Sequence, residues 1–504
     1  MASVRSPLFV LILVVYLTAG GLYVFLTPDW QAPDEPAHYN YVRELTTQSG
    51  FPRLAGRCYN QAYLNDLTAR RFPADMPIDN LCYESHQPPL YYLLGMPVFV
   101  LSRGYLSVLR FLSMALLGGG VVSLAFLIGR TIFPGQPVIA YGTMAFVAFV
   151  PMHLAILSSI NNDVLAELML AIILLMLVQR LLSGHHVPQN DQPRRYFEND
   201  WLLGIVLGLG LGTKLTVYIA IPLVAVVLWW TASKETENQH PVSDWRRLAQ
   251  QAAIIYGVAF LIILPWFIRN AVIYGKLDIL GLIRHDEIVV GQLRTADYLA
   301  EVGLLSYLSE FVTTTFHSFW GQFGWMAVPM DSRTYLVLTL LTLTAAGGLI
   351  GFWWRTRSAG VTFLSSGQRQ ALSLMGLTIL LVVLAYIWYN LTYRQFQGRY
   401  LFPALIPLAI FFALGLNEAF SLQWRWWLVA GLAAALGWIV VAAVLNNIPD
   451  KWAILIMGLA LVLATGRAFL ARSWQLWLVS ACYGVLGLLA LLSPFWFIAP
   501  YLSP

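Results

Sequence analysis

Long apolar runs separated by short polar stretches dominate the chain. They fall near residues 7–26, 105–129, 137–157, 164–182, 201–213, 215–231, 250–268, 334–354, 370–391, 400–417, 426–445, 452–466 and 474–498. About 20 apolar residues cross the ~30 Å hydrocarbon layer as a helix, so the pattern predicts an all-α polytopic membrane protein with about thirteen transmembrane helices. The two runs that meet at Gly212-Thr213-Lys214 are short and share a soft boundary. After the first run comes Leu26-Thr27-Pro28-Asp29, which lacks a small-residue cleavage pattern. That run therefore reads as an uncleaved first helix with its N-terminus in the cytoplasm.

With that start, the short loops on the inner side each carry at least one Arg or Lys, among them Arg130, Arg355, Arg369, Arg425 and Arg467, as the positive-inside rule requires. Two long polar segments then face outward, residues 27–104 and about 270–333. The first contains Pro88-Pro89-Leu90-Tyr91-Tyr92-Leu93-Leu94, an apolar stretch too short to span. It predicts a juxtamembrane helix lying on or dipping into the outer interface.

Composition agrees. Of 504 residues, 59% are hydrophobic and only 11% charged, against roughly 25% charged in soluble proteins. The net charge of +5 is what basic inner loops produce, so membrane lipids rather than nucleic acid are the expected surroundings. Of the three cysteines, Cys58 and Cys82 lie in the first outward segment and Cys482 in an apolar run. An oxidising compartment favours a Cys58–Cys82 disulfide; two free thiols are the alternative.

Candidate chemistry gathers at outward helix ends. Directly after the first helix stands Pro33-Asp34-Glu35-Pro36-Ala37-His38-Tyr39, two adjacent carboxylates at the bilayer surface. They are either functional acids or simply the start of the next helix, where acids are favoured. A second acid, Asp163, closes Ser158-Ser159-Ile160-Asn161-Asn162-Asp163 in the next outward hairpin, and it too has a helix-cap reading.

Taken together, the Asp-Glu pair after the first helix, the PPLYYLL stretch and an Asp in the second outer loop resemble the GT-C superfamily of membrane glycosyltransferases. That superfamily includes the protein mannosyltransferases and the aminoarabinose transferases. Residues 34–45, 86–94 and 397–403, with Gly212-Thr213-Lys214, Pro265-Trp266-Phe267-Ile268-Arg269-Asn270 and Phe319-Trp320-Gly321-Gln322-Phe323-Gly324-Trp325, are most similar to the bacterial membrane proteins grouped as DUF2142. The resemblance covers most of residues 1–410, leaving 411–504 as C-terminal transmembrane helices. It implies the GT-C fold and a sugar donor on polyprenyl phosphate. It also implies a glycan, lipid or protein acceptor, and an extracytoplasmic site in a bacterial plasma membrane.

Under that resemblance Asp34 is the expected general base of an inverting displacement, with Glu35 and Asp163 orienting the acceptor. Arg399, in Gln397-Gly398-Arg399-Tyr400, is the first candidate for the lipid phosphate, because a guanidinium binds phosphate bidentately. Lys214, Arg269 and Arg394 are secondary candidates, with interfacial snorkelling as their alternative. Tyr400, His38, His86 and Gln87 complete the expected substrate-binding set, although Gln87 separates His86 from the PPL stretch, unlike the mannosyltransferase pattern. A divalent ion (Mg, Mn or Zn) on Asp34 and Asp163 is the other expected source of positive charge. The aromatics of 319–325 suit either sugar stacking or an interfacial belt. The competing class is a transporter or flippase for a lipid-linked substrate. Such a protein places ionisable groups near the midplane and is often built of repeats; here the helix interiors are almost free of charge and no repeat is evident.

Overall fold

The structure is a computed structural model, and it describes residues 6–48, 50–183, 192–235, 241–358, 364–446 and 450–503. Among these, 11 helices are long and apolar enough to cross a membrane. A further pair, Pro137–Phe149 and Pro151–Leu157, makes a broken span bent by 66°. The break has a local cause, since Pro151 lacks the N–H that would continue the ladder. The predicted run at 201–213 ends the helix Gln192–Leu211, whose apolar part, Asn199–Leu211, is shorter than a full span. The chain is an integral multi-pass membrane protein.

Ends of the helices follow their sequences. The first, Pro7–Leu26, begins at Ser6, whose hydroxyl accepts from the Phe9 N–H, with Pro7 at the position where a missing N–H is harmless. Ser365 and Gln368 form a reciprocal capping box at the start of Ser366–Thr392. Leu90–Ser102 is a 13-residue helix starting after Pro88-Pro89. At about 20 Å it is too short to cross. It is anchored by the Leu90 N–H donating to the Gly212 carbonyl at 3.0 Å.

The two long polar segments, 27–104 and about 270–333, fold on each other. Leu54, Leu64, Leu67, Leu81 and Tyr83 of the first share a small apolar cluster with Val289 of the second. Cys58 and Cys82, in the same cluster, are joined by a disulfide. The second segment adds the helices Leu282–Ile288, Thr295–Val302 and Leu304–Trp320 and a two-stranded hairpin, Gln322–Phe323 with Val328–Pro329.

Below, the transmembrane helices form one large apolar core. With lipid as apolar as the core itself, close backbone approach rather than hydrophobic expulsion brings helices together. Ser332–Ser358 and Leu405–Ala419 show it best: a Cβ on Gly348 would lie 2.0 Å from the Gly415 carbonyl oxygen, and one on Gly415 equally close to that of Ala345. At the other extreme, the apolar window of Arg425–Leu445 buries nothing within the chain, leaving Trp427, Trp438 and Leu445 as lipid-facing surface.

Replacing Gly348 by Leu should therefore force these two helices apart. A loss of about 2–3 kcal/mol, read as an earlier thermal transition in detergent, is expected for such overpacking; an unchanged transition would show that the contact carries no weight.

Candidate active site

Asp34 and Arg399, 365 positions apart in the chain, meet directly. Arg399 Nη2 donates to Asp34 Oδ2 at 2.6 Å, with the Arg399 side chain 6% and the Asp34 side chain 24% exposed. The backbone explains how Arg399 comes to lie there. Gly398 approaches the helix Leu304–Trp320 so closely that a Cβ would sit 2.3 Å from the Phe319 nitrogen, and its N–H donates to the Ser318 hydroxyl at 2.8 Å. Gln397 then accepts from Arg399 Nε at 2.7 Å, while Nη1 is buried with no hydrogen-bond partner.

Asp34 precedes the helix Glu35–Thr47 and has φ 67°, the left-handed region that is unusual outside glycine. The Tyr83 hydroxyl donates to its Oδ1 at 3.0 Å. Burial acts to raise this carboxyl, but Arg399, His38 and the Tyr83 hydroxyl together hold it below the usual aspartate range. It is therefore an ionised, well-satisfied carboxylate.

A second ion pair sits beside the first. Lys214 Nζ lies 2.7 Å from Asp163 Oδ1, with side chains 18% and 21% exposed. Asp163 opens the helix Asp163–Ser183, its N–H held by Asn161 Oδ1 at 2.9 Å. Burial works against the Lys214 ammonium, but Asp163 and Glu84 raise its pKa above the usual value, and the Arg399 charge acts on it too. His38 lies within electrostatic reach of Glu84, Lys214, Asp34 and Asp163, so these charges form one cluster. Burial lowers its own pKa, and its Nδ1 shares a 2.8 Å hydrogen bond with the Tyr92 hydroxyl.

Other expected site residues take different positions. Glu35 does not share Asp34's surroundings. It is fully buried, and Arg110 donates to both its oxygens at 2.8 and 2.6 Å. Arg110 also donates to the carbonyls of Val24, Thr27 and Pro28, closing the end of the first helix. The carboxylate further accepts from the Ile160 N–H at 3.2 Å, so Glu35 ties three segments together under the site instead of facing a substrate.

Arg269 is likewise engaged elsewhere. It donates to the Pro52 carbonyl and to Asn270 Oδ1, and stacks over Trp266 at 4.5 Å. Arg394 pairs with Glu310 at 3.1 Å. His86 donates to the Tyr83 carbonyl at 3.1 Å and packs on His285; Gln87 accepts from the Tyr41 hydroxyl through its backbone and from Asn162 through its side chain. Trp320 is core, and the Trp325 indole donates to the Trp30 carbonyl. Tyr400 stays in the chamber, edge-on to Tyr389 at 5.6 Å.

The structure adds no support for the expected divalent ion on Asp34 and Asp163. Among the described residues no group of three or more His, Cys, Asp or Glu converges, and Asp34 and Asp163 each already face a cation. Five residues went unnoticed in the sequence. Arg110 carried a usable signal, a lone cation inside an apolar run, and with His153 and Glu167, paired at 2.8 Å, it corrects the picture of nearly charge-free helices. Tyr83 and Glu84 carried none. Glu84 adjoins Tyr83 in the turn Tyr83–His86 and, among the described residues, its carboxylate has neither a hydrogen bond nor an ion pair.

Two outcomes follow. Glu35→Gln should cost about 3–5 kcal/mol by stranding the buried Arg110, whereas Glu35→Gln with Arg110→Met should cost less than that, as thermal unfolding of purified protein would show. Burial, aided by His285, pushes His86 down to about 3, well below an unfolded histidine near 6.5. The unfolded chain therefore binds the proton first, so stability present above pH ~6.5 is lost as pH falls. Between pH 7 and 5 this amounts to about 2 kcal/mol, which His86→Gln should abolish.

No protein-family model matches the chain, and no curated protein does. Solved structures do. The ArnT structure from Cupriavidus metallidurans bound to undecaprenyl phosphate aligns over 96% of this chain and 76% of its own, at 16% identity and a TM-score of 0.55. The apo form of the same protein aligns over 99% and 77%, at 16% identity and a TM-score of 0.51. An Archaeoglobus fulgidus oligosaccharyltransferase aligns at 15% identity over 95% of this chain but 55% of its own, with a TM-score of 0.48. The chain thus shares the GT-C fold of the ArnT structures over nearly its whole length.

Proposed function

We propose that this protein is a membrane glycosyltransferase that moves a sugar from a polyprenyl-phosphate donor to a glycan, lipid or protein acceptor, with inversion, on the extracytoplasmic face. The observation that carries the reading is the direct meeting of Asp34 and Arg399 beside Asp163 and Lys214. Two carboxylates and two cations lie side by side at helix ends, the level at which a lipid phosphate would lie. The shared fold supports it, since one of the similar structures holds undecaprenyl phosphate.

In this mechanism the phosphate of the donor lies against Arg399 and Lys214. The acceptor's oxygen or nitrogen forms a bond to the anomeric carbon as the bond from that carbon to the phosphate oxygen breaks. Its proton passes to Asp34, and the electron pair stays on the phosphate, where the guanidinium and ammonium meet the growing charge. Asp163 holds Lys214 in place, and Tyr83 fixes the Asp34 rotamer. Glu35 and Arg110 act at one remove, by fixing the chain that leads into Asp34. Arg399 and Lys214 supply positive charge beside the two carboxylates.

Several finer points rest on the sequence alone. The kinship with DUF2142 rests on the three signatures, and the bacterial plasma membrane follows from it. Inner-loop Arg and Lys support the cytoplasmic N-terminus, and residues 1–410 form the catalytic module. A transporter or flippase would string ionisable groups along a path through the membrane. Here the pairs Asp34–Arg399 and Asp163–Lys214 sit together at helix ends, and Arg180–Asp200 and Arg355–Glu418 at the opposite ends, with no continuous string of charge between them among the described residues.

The test is transfer by purified protein from undecaprenyl-phosphate sugars. Asp34→Asn should lower kcat by about 10²–10⁴-fold while the protein stays folded, and Arg399→Ala should weaken donor use above all. Wild-type turnover in Asp34→Asn would remove the assignment.

A further inference from the structure

The proposed base and the proposed phosphate ligand hold each other before any substrate is present. Asp34 Oδ2 accepts from Arg399 Nη2 and Oδ1 from Tyr83, so both oxygens of the carboxylate are engaged. A carboxylate so satisfied is a weak base, because general-base efficiency rises as the group's proton affinity approaches the working pH. On the other side of the pair, the guanidinium keeps one buried nitrogen, Nη1, without a partner.

We propose that the donor's phosphate is the switch that turns Asp34 into a base: by engaging Arg399 it draws the guanidinium's charge away from Asp34, so the acceptor is activated only in the donor-loaded protein. This rests on the roles given to Asp34 and Arg399 above, and it adds an order of events to them. Phosphate first engages the unpartnered Nη1, which the guanidinium must turn outward to present. One buried positive charge then serves two anions, an arrangement that is unfavourable unless one of them takes up a proton. The proton at hand is the acceptor's.

Among the described residues, Arg399 is the only cationic hydrogen-bonding partner of Asp34. Tyr83 donates a neutral hydroxyl. Tyr59, Tyr389 and Tyr400 stand near enough to feel the Asp34 charge. Buried His38, on the helix that Asp34 opens, has its pKa lowered, and Glu84 adds a further negative charge to the chamber. Lys214 is bound to Asp163. Guarding the base in this way protects the donor: without phosphate in place, no acceptor or water is deprotonated beside an empty site.

Coupling of this kind is reciprocal. What phosphate does to Asp34, the loss of the Asp34 charge must do to phosphate. Full-length protein in nanodiscs, titrated with sugar-free undecaprenyl phosphate, should bind it at least tenfold more tightly as Asp34→Asn than as wild type. Glu84→Gln is the control, because it removes an unpaired charge from the same chamber and should change affinity far less. Equal gains in the two variants would mean general repulsion and would overturn the proposal, as would no gain in Asp34→Asn. A lipid that fails to bind even the wild type would overturn the phosphate site itself, and the switch with it. Independently of any folding defect in the variants, an infrared difference spectrum of the wild type on adding undecaprenyl phosphate should show a shifted carboxylate stretch. The Asp34→Asn spectrum should lack that shift; a wild-type spectrum without it overturns the switch.

Discussion

Charge at a membrane boundary must be neutralised locally, and that constraint organises the upper half of this protein. An ionised group removed from water costs several kcal/mol unless an opposite charge and hydrogen bonds replace the solvent. Three ion pairs here have that replacement: Asp34 with Arg399, Asp163 with Lys214, Glu35 with Arg110. The pairs differ in their surroundings. Arg110 and Glu35 fill their donors and acceptors with each other and with the carbonyls ending the first helix, so that pair is closed. Arg399 keeps an open nitrogen and a partly exposed partner, so that pair can exchange. The same chemistry thus serves as a fastener at Glu35 and, in the proposed mechanism, as a reactive contact at the neighbouring Asp34.

Much of the fold was legible because its driving force is written residue by residue. Each predicted apolar run is helical, and the Pro88–Leu94 stretch forms the short helix that its length implies. Span length was less legible, since the bend at Pro151 and the shortness of Asn199–Leu211 depend on how neighbours pack. At the site, the pattern named the ions but not their partners. Asp34 and Glu35 are adjacent in sequence, yet successive positions at a helix start point about 100° apart, and one reaches the chamber while the other reaches Arg110. Arg269 and Arg399 look alike as cations at helix ends; only the fold brings the Pro52 carbonyl to one and Asp34 to the other. Tyr83 could not be singled out, because its role exists only through a partner 49 positions away.

The two long polar segments are more than connections. The disulfide between Cys58 and Cys82 brings the residues that follow, Tyr59 and Tyr83, edge to face at 5.5 Å. Val289 from the second segment packs into the same cluster. The hydroxyl that steadies Asp34 therefore rests on a small, cross-linked outer core, while the guanidinium opposite it rests on the glycine-mediated approach of residue 398 to the helix beneath. The chamber is a seam between two independently braced bodies of structure.

The left-handed backbone at Asp34 has a consequence for reading sequence variation at this position. Asparagine and glycine enter that conformation readily, whereas β-branched and bulky side chains do so at appreciable strain. In a saturation library most replacements at residue 34 would distort the polypeptide as well as delete an acid, and their phenotypes would blend two defects. Asparagine alone keeps size, shape and turn while removing the ionisable oxygen, and so separates chemistry from architecture.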